Sequence, residues 1–391
     1  MKILTAEGAL LLLGKDYRFD TKLLADSNTI NNGKLVGNVY LVQSGDPVLT
    51  YKNVQQLIAH LKNKKITTIN GNFYIDDSSF DKSYFAPGWV QEDLRHCYGA
   101  PISASIIDHN CLAWHFLPKH NLIKRRAVAH AARYARGKQT AIKIADKSGK
   151  YSTNKQKTTS NMSIKQLLRH NSVDGVLTYN SKLITKICRE LGVKVTGQVM
   201  YGKAPHSLIT IAVHQSPPVK SLVMAMLKQS DNVIAGALFK KLGQVYTNKT
   251  GTWERGSIAV KQLLVSQVGV TVKGLQMIDG SGLSWFNKIT PRQMMQILEF
   301  NYHNQRIKTT FLNSLSIAGR DGTLKNRLQN IATKVRAKTG SMYGVVSLAG
   351  YVWTKNHEPL AFVVIINNNG PKSLYRDLID RIVRLLAAYH R

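Results

Sequence analysis

The sequence predicts a mixed α/β (α+β) fold in which one domain is discontinuous, split by a long strand-rich insertion. Three observations carry that expectation. The chain opens on an apolar helix pattern, Leu4, Ala6, Ala9, Leu10, Leu12 and Leu13, stopped by Gly14. It closes on three strand-like segments, Lys334–Thr339, Val345–Trp353 and Leu360–Asn367, followed by a helix from about Ser373 to Tyr389. Between these ends lies a stretch of different composition, and 391 residues exceed one ordinary core. The expected division is 1–24 with 212–391 for the discontinuous domain and 25–211 for the insertion.

Within the insertion, short strands such as Val39–Val42 and Thr68–Ile75 are interrupted by turn clusters at Asn31-Asn32-Gly33, Ser44-Gly45-Asp46-Pro47 and Asp76-Asp77-Ser78-Ser79. After it, Pro217-Pro218 opens a helix with Leu222, Val223, Met226 and Leu227 on its apolar side. That helix delivers Ser230-Asp231-Asn232 at its end, and a second runs from Val233 through Leu242. Asp279–Ser284 reads as a tight loop, Thr290-Pro291 as a helix start and Arg320–Thr323 as a turn.

Lys+Arg total 54 against Asp+Glu 22, a net charge of +32. Such an excess favours polyanionic neighbours, whether nucleic acid, an anionic membrane surface or a cell-wall polymer, without choosing among them. It concentrates in a sub-region at about 119–165, from Lys124-Arg125-Arg126 to Lys157. Base stacking needs interleaved aromatics, and only Tyr134 and Tyr151 are available there, so a solvated surface is expected and no specific nucleic-acid partner. No segment reads as a membrane span, since Ile3–Leu13 is too short and holds Glu7. The chain does not open on a secretory signal pattern either. The last helix, with Leu378, Ile382, Leu385 and Leu386 on one side and Arg376, Arg381 and Arg384 elsewhere, suits packing on the preceding sheet better than a surface anchor. Of the cysteines, Cys97 and Cys111 form a close pair that fits either a disulfide or two buried thiols, and Cys188 stands apart. No ligand spacing supports a metal site, and no cofactor is expected.

Function is carried by motifs in order. Lys338-Thr339-Gly340 on a strand is common alone, but preceded by Ser230-Asp231-Asn232 at a helix end it follows the order of penicillin-recognising serine acyl-transferases. The third element, Ser-x-x-Lys, is matched only at its lysine: Lys2 heads the apolar helix, and the serine would lie two residues before Met1. Two internal matches, Ser79–Lys82 and Ser152–Lys155, sit in turn-rich sequence with no apolar helix to bury the lysine and are rejected.

Asp279-Gly280-Ser281-Gly282-Leu283-Ser284, Ala318-Gly319-Arg320-Asp321-Gly322-Thr323-Leu324 and Lys338–Tyr351 extend the match. So do Gly71–Asp76, Ala86-Pro87-Gly88-Trp89, Cys97–Pro101 and Asp108–Cys111 in the insertion. Together they resemble the D-alanyl-D-alanine carboxypeptidase/endopeptidase family of class C penicillin-binding proteins (DacB-like, peptidase S13), over essentially the whole chain and least across Lys119–Lys165. The resemblance implies a β-lactamase/transpeptidase-like domain and a periplasmic or otherwise extracytoplasmic hydrolase. Its substrates would be peptidoglycan stem peptides and their cross-links, with β-lactams as acylating inhibitors and anionic cell-envelope polymers as further partners. It implies Lys2 as the base, Ser230 as the proton relay, Asn232 orienting the substrate amide and Lys338 supplying positive potential. Thr339 would bind the terminal carboxylate, Gly340 would let the strand approach the ligand, and the Ser341 N–H would form half an oxyanion hole. It also implies a Cys97–Cys111 disulfide.

With the nucleophilic serine outside residues 1–391, the chain as written is expected to be inactive. Two strands that complete the sheet beside Leu360–Ile366 in the family would also be missing, leaving an apolar edge. The rival functions are a non-catalytic penicillin- or cell-wall-binding homologue and a polyanion-binding protein using Lys124–Lys157.

Overall fold

The computed structural model describes residues 1–27, 30–111 and 173–389. The basic sub-region 119–165 lies outside these residues. Helix α1, Lys2–Gly8, is buried at every position and continues as a π-helical turn, Ala9–Leu13, that ends at Gly14 with φ 87°. A helix buried on all sides belongs inside a core, and Ile3, Leu4, Ala6 and Leu10 are at most 3% exposed. Glu7 shares that burial, which raises its pKa well above the carboxylate range, and its carboxyl oxygens have no hydrogen-bond partner among the described residues.

The insertion holds β1 (Asp20–Ala25), β2 (Ile30–Asn31), β3 (Lys34–Val36), β4 (Val39–Gln43), β5 (Thr68–Asn70), β6 (Phe73–Asp76), β7 (Lys194–Val195), β8 (Val199–Tyr201) and β9 (Ile209–Gln215). They form two sheets, β8-β6-β4-β1-β9 and β2-β3-β5-β7. The single strand expected over Thr68–Ile75 is therefore two, one in each sheet. Gly71 marks the crossover: a Cβ there would collide with the backbone of Gly37, so only glycine lets the chains touch. The region is also more helical than expected. Helix α2, Tyr51–Asn63, starts at a Thr50/Asn53 capping box and buries Val54, Leu57, Ile58 and Leu61. Helix α3, Val173–Glu190, contributes Leu183, Ile184 and Ile187 to the same core.

The inserted sheet reaches beyond the expected boundaries. Strands β1 and β9 straddle positions 24/25 and 211/212 and pair antiparallel from Asp20–Gln215 to Ala25–Ile209, so the crossing points lie near Asp20 and Gln215. Nor is the insertion independent throughout: Phe80, Ala86, Ala100, Ile102, Ala104 and Ile106 join the core built around α1. The sequence separates them from it, and packing brings them back.

Helices α4 (Val219–Gln229), α5 (Asn232–Thr247), α6 (Trp253–Leu263) and α7 (Pro291–His303) surround α1. Strands β10 (Ser316–Ile317), β11 (Val335–Met342), β12 (Val345–Trp353) and β13 (Pro359–Asn367) form an antiparallel sheet in sequence order. Strand β11 runs three residues beyond the expected Thr339, which puts the whole Lys338–Ser341 motif in the ladder. Strand β13 is an edge, paired to β12 alone among the described strands. Helix α8, Lys372–Ala388, packs on this sheet through Ile379, Val383 and Ala387, while Leu378 is 47% and Leu385 73% exposed. The buried positions thus lie one residue on from the expected ones, although Leu386 packs against the same cluster, and Asp380, paired with Arg327 at 2.7 Å, is buried on that side.

Candidate active site

Three distant segments meet at the N-terminus of α1. Lys2 is 7% exposed, and its Nζ donates to Asn232 Oδ1 at 2.6 Å and to the Ser281 carbonyl at 2.7 Å. Asn232 is placed by the helix break before it. Ser230 takes the left-handed conformation at the end of α4 (φ 59°), its N–H bonded to the Met226 carbonyl, and Asp231 then caps α5 by accepting from the Ile234 N–H at 2.9 Å. Ser230 and Asn232 are thereby held on one tight turn, and Asn232 reaches Lys2 on α1.

Ser281 belongs to a loop organised around the buried Asp279. That carboxylate accepts from the Trp89 indole N–H at 2.9 Å, the Ser281 hydroxyl at 2.5 Å, the Gly282 N–H at 3.0 Å and the Asn287 amide at 2.7 Å. Thr5, one turn along α1 from Lys2, donates to the Gly280 carbonyl at 2.8 Å. Helix and loop are tied at two points, so the lysine has little freedom.

Strand β11 supplies the other side. Lys338 is 7% exposed, and its Nζ donates to the Thr339 carbonyl at 2.8 Å. The Thr339 hydroxyl donates to Thr323 Oγ1 at 2.8 Å, and Thr323 in turn sits on the turn where Asp321 meets Lys228 Nζ at 2.6 Å. Ser341 is exposed at the rim. Gly340 has a packing reason beyond the expected approach to ligand: a Cβ there would strike the Ser347 hydroxyl on β12.

The insertion closes the back of the site through two residues for which the sequence suggested no role. The Tyr98 carbonyl accepts from Asn232 Nδ2 at 2.9 Å, and His109 Nε2 lies 3.3 Å from Asp231 Oδ2. Both are carried by the loop that the Cys97–Cys111 disulfide staples, with Cα atoms 5.1 Å apart, while Cys188 is a buried thiol. Asp108, His109 and Asn110 all have φ between 47° and 62°, a strained run that persists only where surroundings over-determine it. Burial works against charge on His109, but Asp231, with Asp108 and Asp46 behind it, outweighs this and raises its pKa, while His109 helps hold Asp231 low against its own burial. The signal lay in Cys97-Tyr98 and Asp108-His109-Asn110-Cys111, legible as motifs but not as contacts. Ser79–Lys82 forms no helix. Ser152–Lys155 lies outside the described residues.

A buried lysine between an amide and a carbonyl, a second buried lysine on β11 and a serine on a left-handed turn are residue types that serine acyl transfer uses. The family model of D-Ala-D-Ala carboxypeptidase 3 (S13) matches residues 1–389. The D-alanyl-D-alanine carboxypeptidase DacB of Haemophilus influenzae is 31% identical over 384 residues, covering 94% of this chain and 79% of its own. The crystal structure of penicillin binding protein 4 (dacB) from the same organism superposes with a TM-score of 0.79 at 27% identity, over 99% of this chain and 90% of that one. Its complex with a β-lactam gives 0.75 at 26% identity, with the same shares covered. With Lys2 bonded to Asn232 of the Ser-Asp-Asn turn and a match of this extent, the chain belongs to the D-Ala-D-Ala carboxypeptidase 3 (S13) family of serine-type carboxypeptidase hydrolases.

Proposed function

We propose that this protein cleaves the D-Ala-D-Ala end of peptidoglycan stem peptides, and the cross-links between stems, through a seryl acyl-enzyme in an extracytoplasmic compartment. The observation that carries this reading is the clamp on Lys2, whose Nζ is fixed between Asn232 and Ser281 where a base for a hydroxyl one helical turn earlier would stand. The nucleophile this geometry calls for is a serine three residues before Lys2, upstream of Met1. Lys2 takes the serine proton as Oγ attacks the penultimate D-Ala carbonyl. Ser230 passes that proton to the leaving D-Ala amine, and Asn232 orients the substrate amide. Thr339 binds the terminal carboxylate in the positive potential of Lys338, and the Ser341 N–H together with the nucleophile's own N–H holds the oxyanion. Water then hydrolyses the ester. The secreted setting suits the Cys97–Cys111 disulfide, and no helix among the described residues is long and apolar enough to cross a membrane.

Fluorescent penicillin tests the proposal. A form bearing the upstream serine is expected to take one covalent label and to release D-Ala from a stem peptide, and the 391-residue polypeptide is expected to take none. A specific acyl adduct on the 391-residue polypeptide would place the nucleophile elsewhere.

A further inference from the structure

Where the inserted sheet leaves the discontinuous domain, polar side chains are buried that the peptide chemistry does not use. Thr21 on β1 pairs in register with Gln43 on β4 to one side and with His214 on β9 to the other, so the three side chains share one face of the sheet. Thr21 and Gln43 are 0% and 1% exposed, and the Thr21 hydroxyl and both amide atoms of Gln43 have no hydrogen-bond partner among the described residues. The loop after β4 brings Asp46 against His214. One oxygen of its carboxylate accepts from the Val48 N–H at 3.0 Å; the other, Oδ2, is buried, makes no hydrogen bond among the described residues and lies 3.8 Å from His214 Nε2.

Buried polar groups in this state cost free energy, the carboxylate most of all. A water molecule would answer the amide and the hydroxyl but leave the charge of Asp46 uncompensated. Nor does a strong base compensate it. Among the described residues no lysine or arginine pairs with Asp46, in a chain that carries 54 of them, and His109, whose charge also reaches Asp46, is engaged by Asp231 at 3.3 Å.

Asp46 and His214 stand instead in the relation of two ligands to one ion. Donors on a tetrahedral zinc, each about 2.0–2.2 Å from it, lie roughly 3.3–3.6 Å apart, whereas 3.8 Å is too long for a direct hydrogen bond between the two side chains. The donor set selects the metal. Calcium and magnesium take about six or more oxygen ligands, while one imidazole with one carboxylate and neutral amide and hydroxyl oxygens suits zinc. No three His, Cys, Asp or Glu side chains converge among the described residues, so the Gln43 amide oxygen has to serve as third ligand, and micromolar affinity is expected in place of the tight binding of a structural zinc core. The His214 side chain, 23% exposed, gives the ion its entry.

We propose that Asp46, His214 and Gln43 form a zinc site at the root of the insertion. Thr21 and His214 adjoin Asp20 and Gln215, where the chain crosses between the two parts. The loop carrying Asp46 continues to Leu49, whose carbonyl accepts from the Asp108 N–H at 2.9 Å beside His109. A bound ion ties both crossing strands to the loop that backs the Ser230-Asp231-Asn232 turn, and it takes no part in the peptidase chemistry.

The test uses the 391-residue polypeptide, stripped of metal by a chelator and titrated with Zn2+ by calorimetry and with Co2+ by its visible d–d absorption. Saturable binding of Zn2+, a tetrahedral Co2+ band and a raised melting temperature with Zn2+ but not with Mg2+ or Ca2+ are expected. His214→Gln and Asp46→Asn should each weaken Zn2+ binding by more than about tenfold and remove the Co2+ band. Asp46→Asn keeps the oxygen that caps Val48, and a melting curve of each metal-free variant checks that it folds; should Asp46→Asn not fold, His214→Gln at the more exposed position decides. No saturable Zn2+ binding, or a band and affinity that survive the substitutions and so belong to other histidines, overturns the site.

Discussion

The two sides of the site differ in how much they leave to solvent. On the α1 side, Lys2 and Asp279 are 7% and 0% exposed, and each is fixed by partners distant in sequence or by a closed loop. On the β11 side, Lys338 is as buried as Lys2, but Ser341 is exposed, Thr339 is half-buried and the neighbouring Trp285 and Tyr343 stand half in solvent. A proton-transfer lysine has to be held at a set distance in a dry environment, and only surrounding dipoles can do that without leaving a charge unpaired. A surface that receives ligand has to stay open until the ligand arrives. Chemistry and recognition therefore divide between a packed wall and a wet one.

If that division holds, damage to the packed wall should cost most. In a form carrying the upstream serine, Lys2→Ala is expected to slow acylation by penicillin about 10³-fold, roughly 4 kcal/mol in the barrier, with the melting temperature read alongside to exclude unfolding. A loss no larger than that of a rim variant would erase the distinction. Next comes the staple behind the wall: Cys97→Ser should lower stability by about 3 kcal/mol, as for opening a short disulfide loop, and should release Tyr98 from Asn232. Denaturant unfolding with and without reductant checks it, since reductant should cost the parent about as much as the substitution does.

On the wet side, Thr339→Ala is expected to reduce kcat/KM for D-Ala-D-Ala turnover by about 1.5–3 kcal/mol, typical of one hydrogen bond to a carboxylate, while the fold is kept. Unchanged turnover would remove Thr339 from the site. Smaller still is the His109–Asp231 pair, whose side chains are 24% and 21% exposed, so about 1 kcal/mol is expected after solvent screening. His109 has its pKa raised from 6.5, so its contribution is complete below that value and lost as pH rises through the folded pKa; Asp231, lowered from 3.8, contributes above 3.8 and loses its share as pH falls. Melting curves of the parent and His109→Gln should accordingly converge toward about pH 8 and separate toward about pH 5.5. A constant gap would assign the effect to packing. The least effect on the site belongs to Ile365 on the β13 edge, paired to Ser347 and outside the clusters on either face of the sheet. Ile365→Lys should suppress concentration-dependent association, read by sedimentation, with little change in penicillin labelling.

The backbone carrying residues on both sides was legible where its geometry is local. The Ser230-Asp231-Asn232 turn follows from a helix that must end and another that must be capped. Lys338–Ser341 follows from strand alternation, and Lys2 from its place at the head of a strongly apolar helix. Helix α8 shows the limit: Leu378, Ile382, Leu385 and Leu386 predicted the packed face, but Ile379, Val383 and Ala387 are the buried positions and of the predicted four Leu386 packs against them. The insertion shows another, since Thr68–Ile75 reads as one strand until Gly71 is seen against the backbone of Gly37.

The order of motifs along the chain thus determined by itself the family and the mixed α/β fold class, because each depends on patterns within a few residues. Only the tertiary structure decided that Asn232 answers to Tyr98 and Lys2, that Asp231 answers to His109, and that Asp46 meets His214. Those contacts join segments more than a hundred residues apart in sequence, and no local periodicity encodes them.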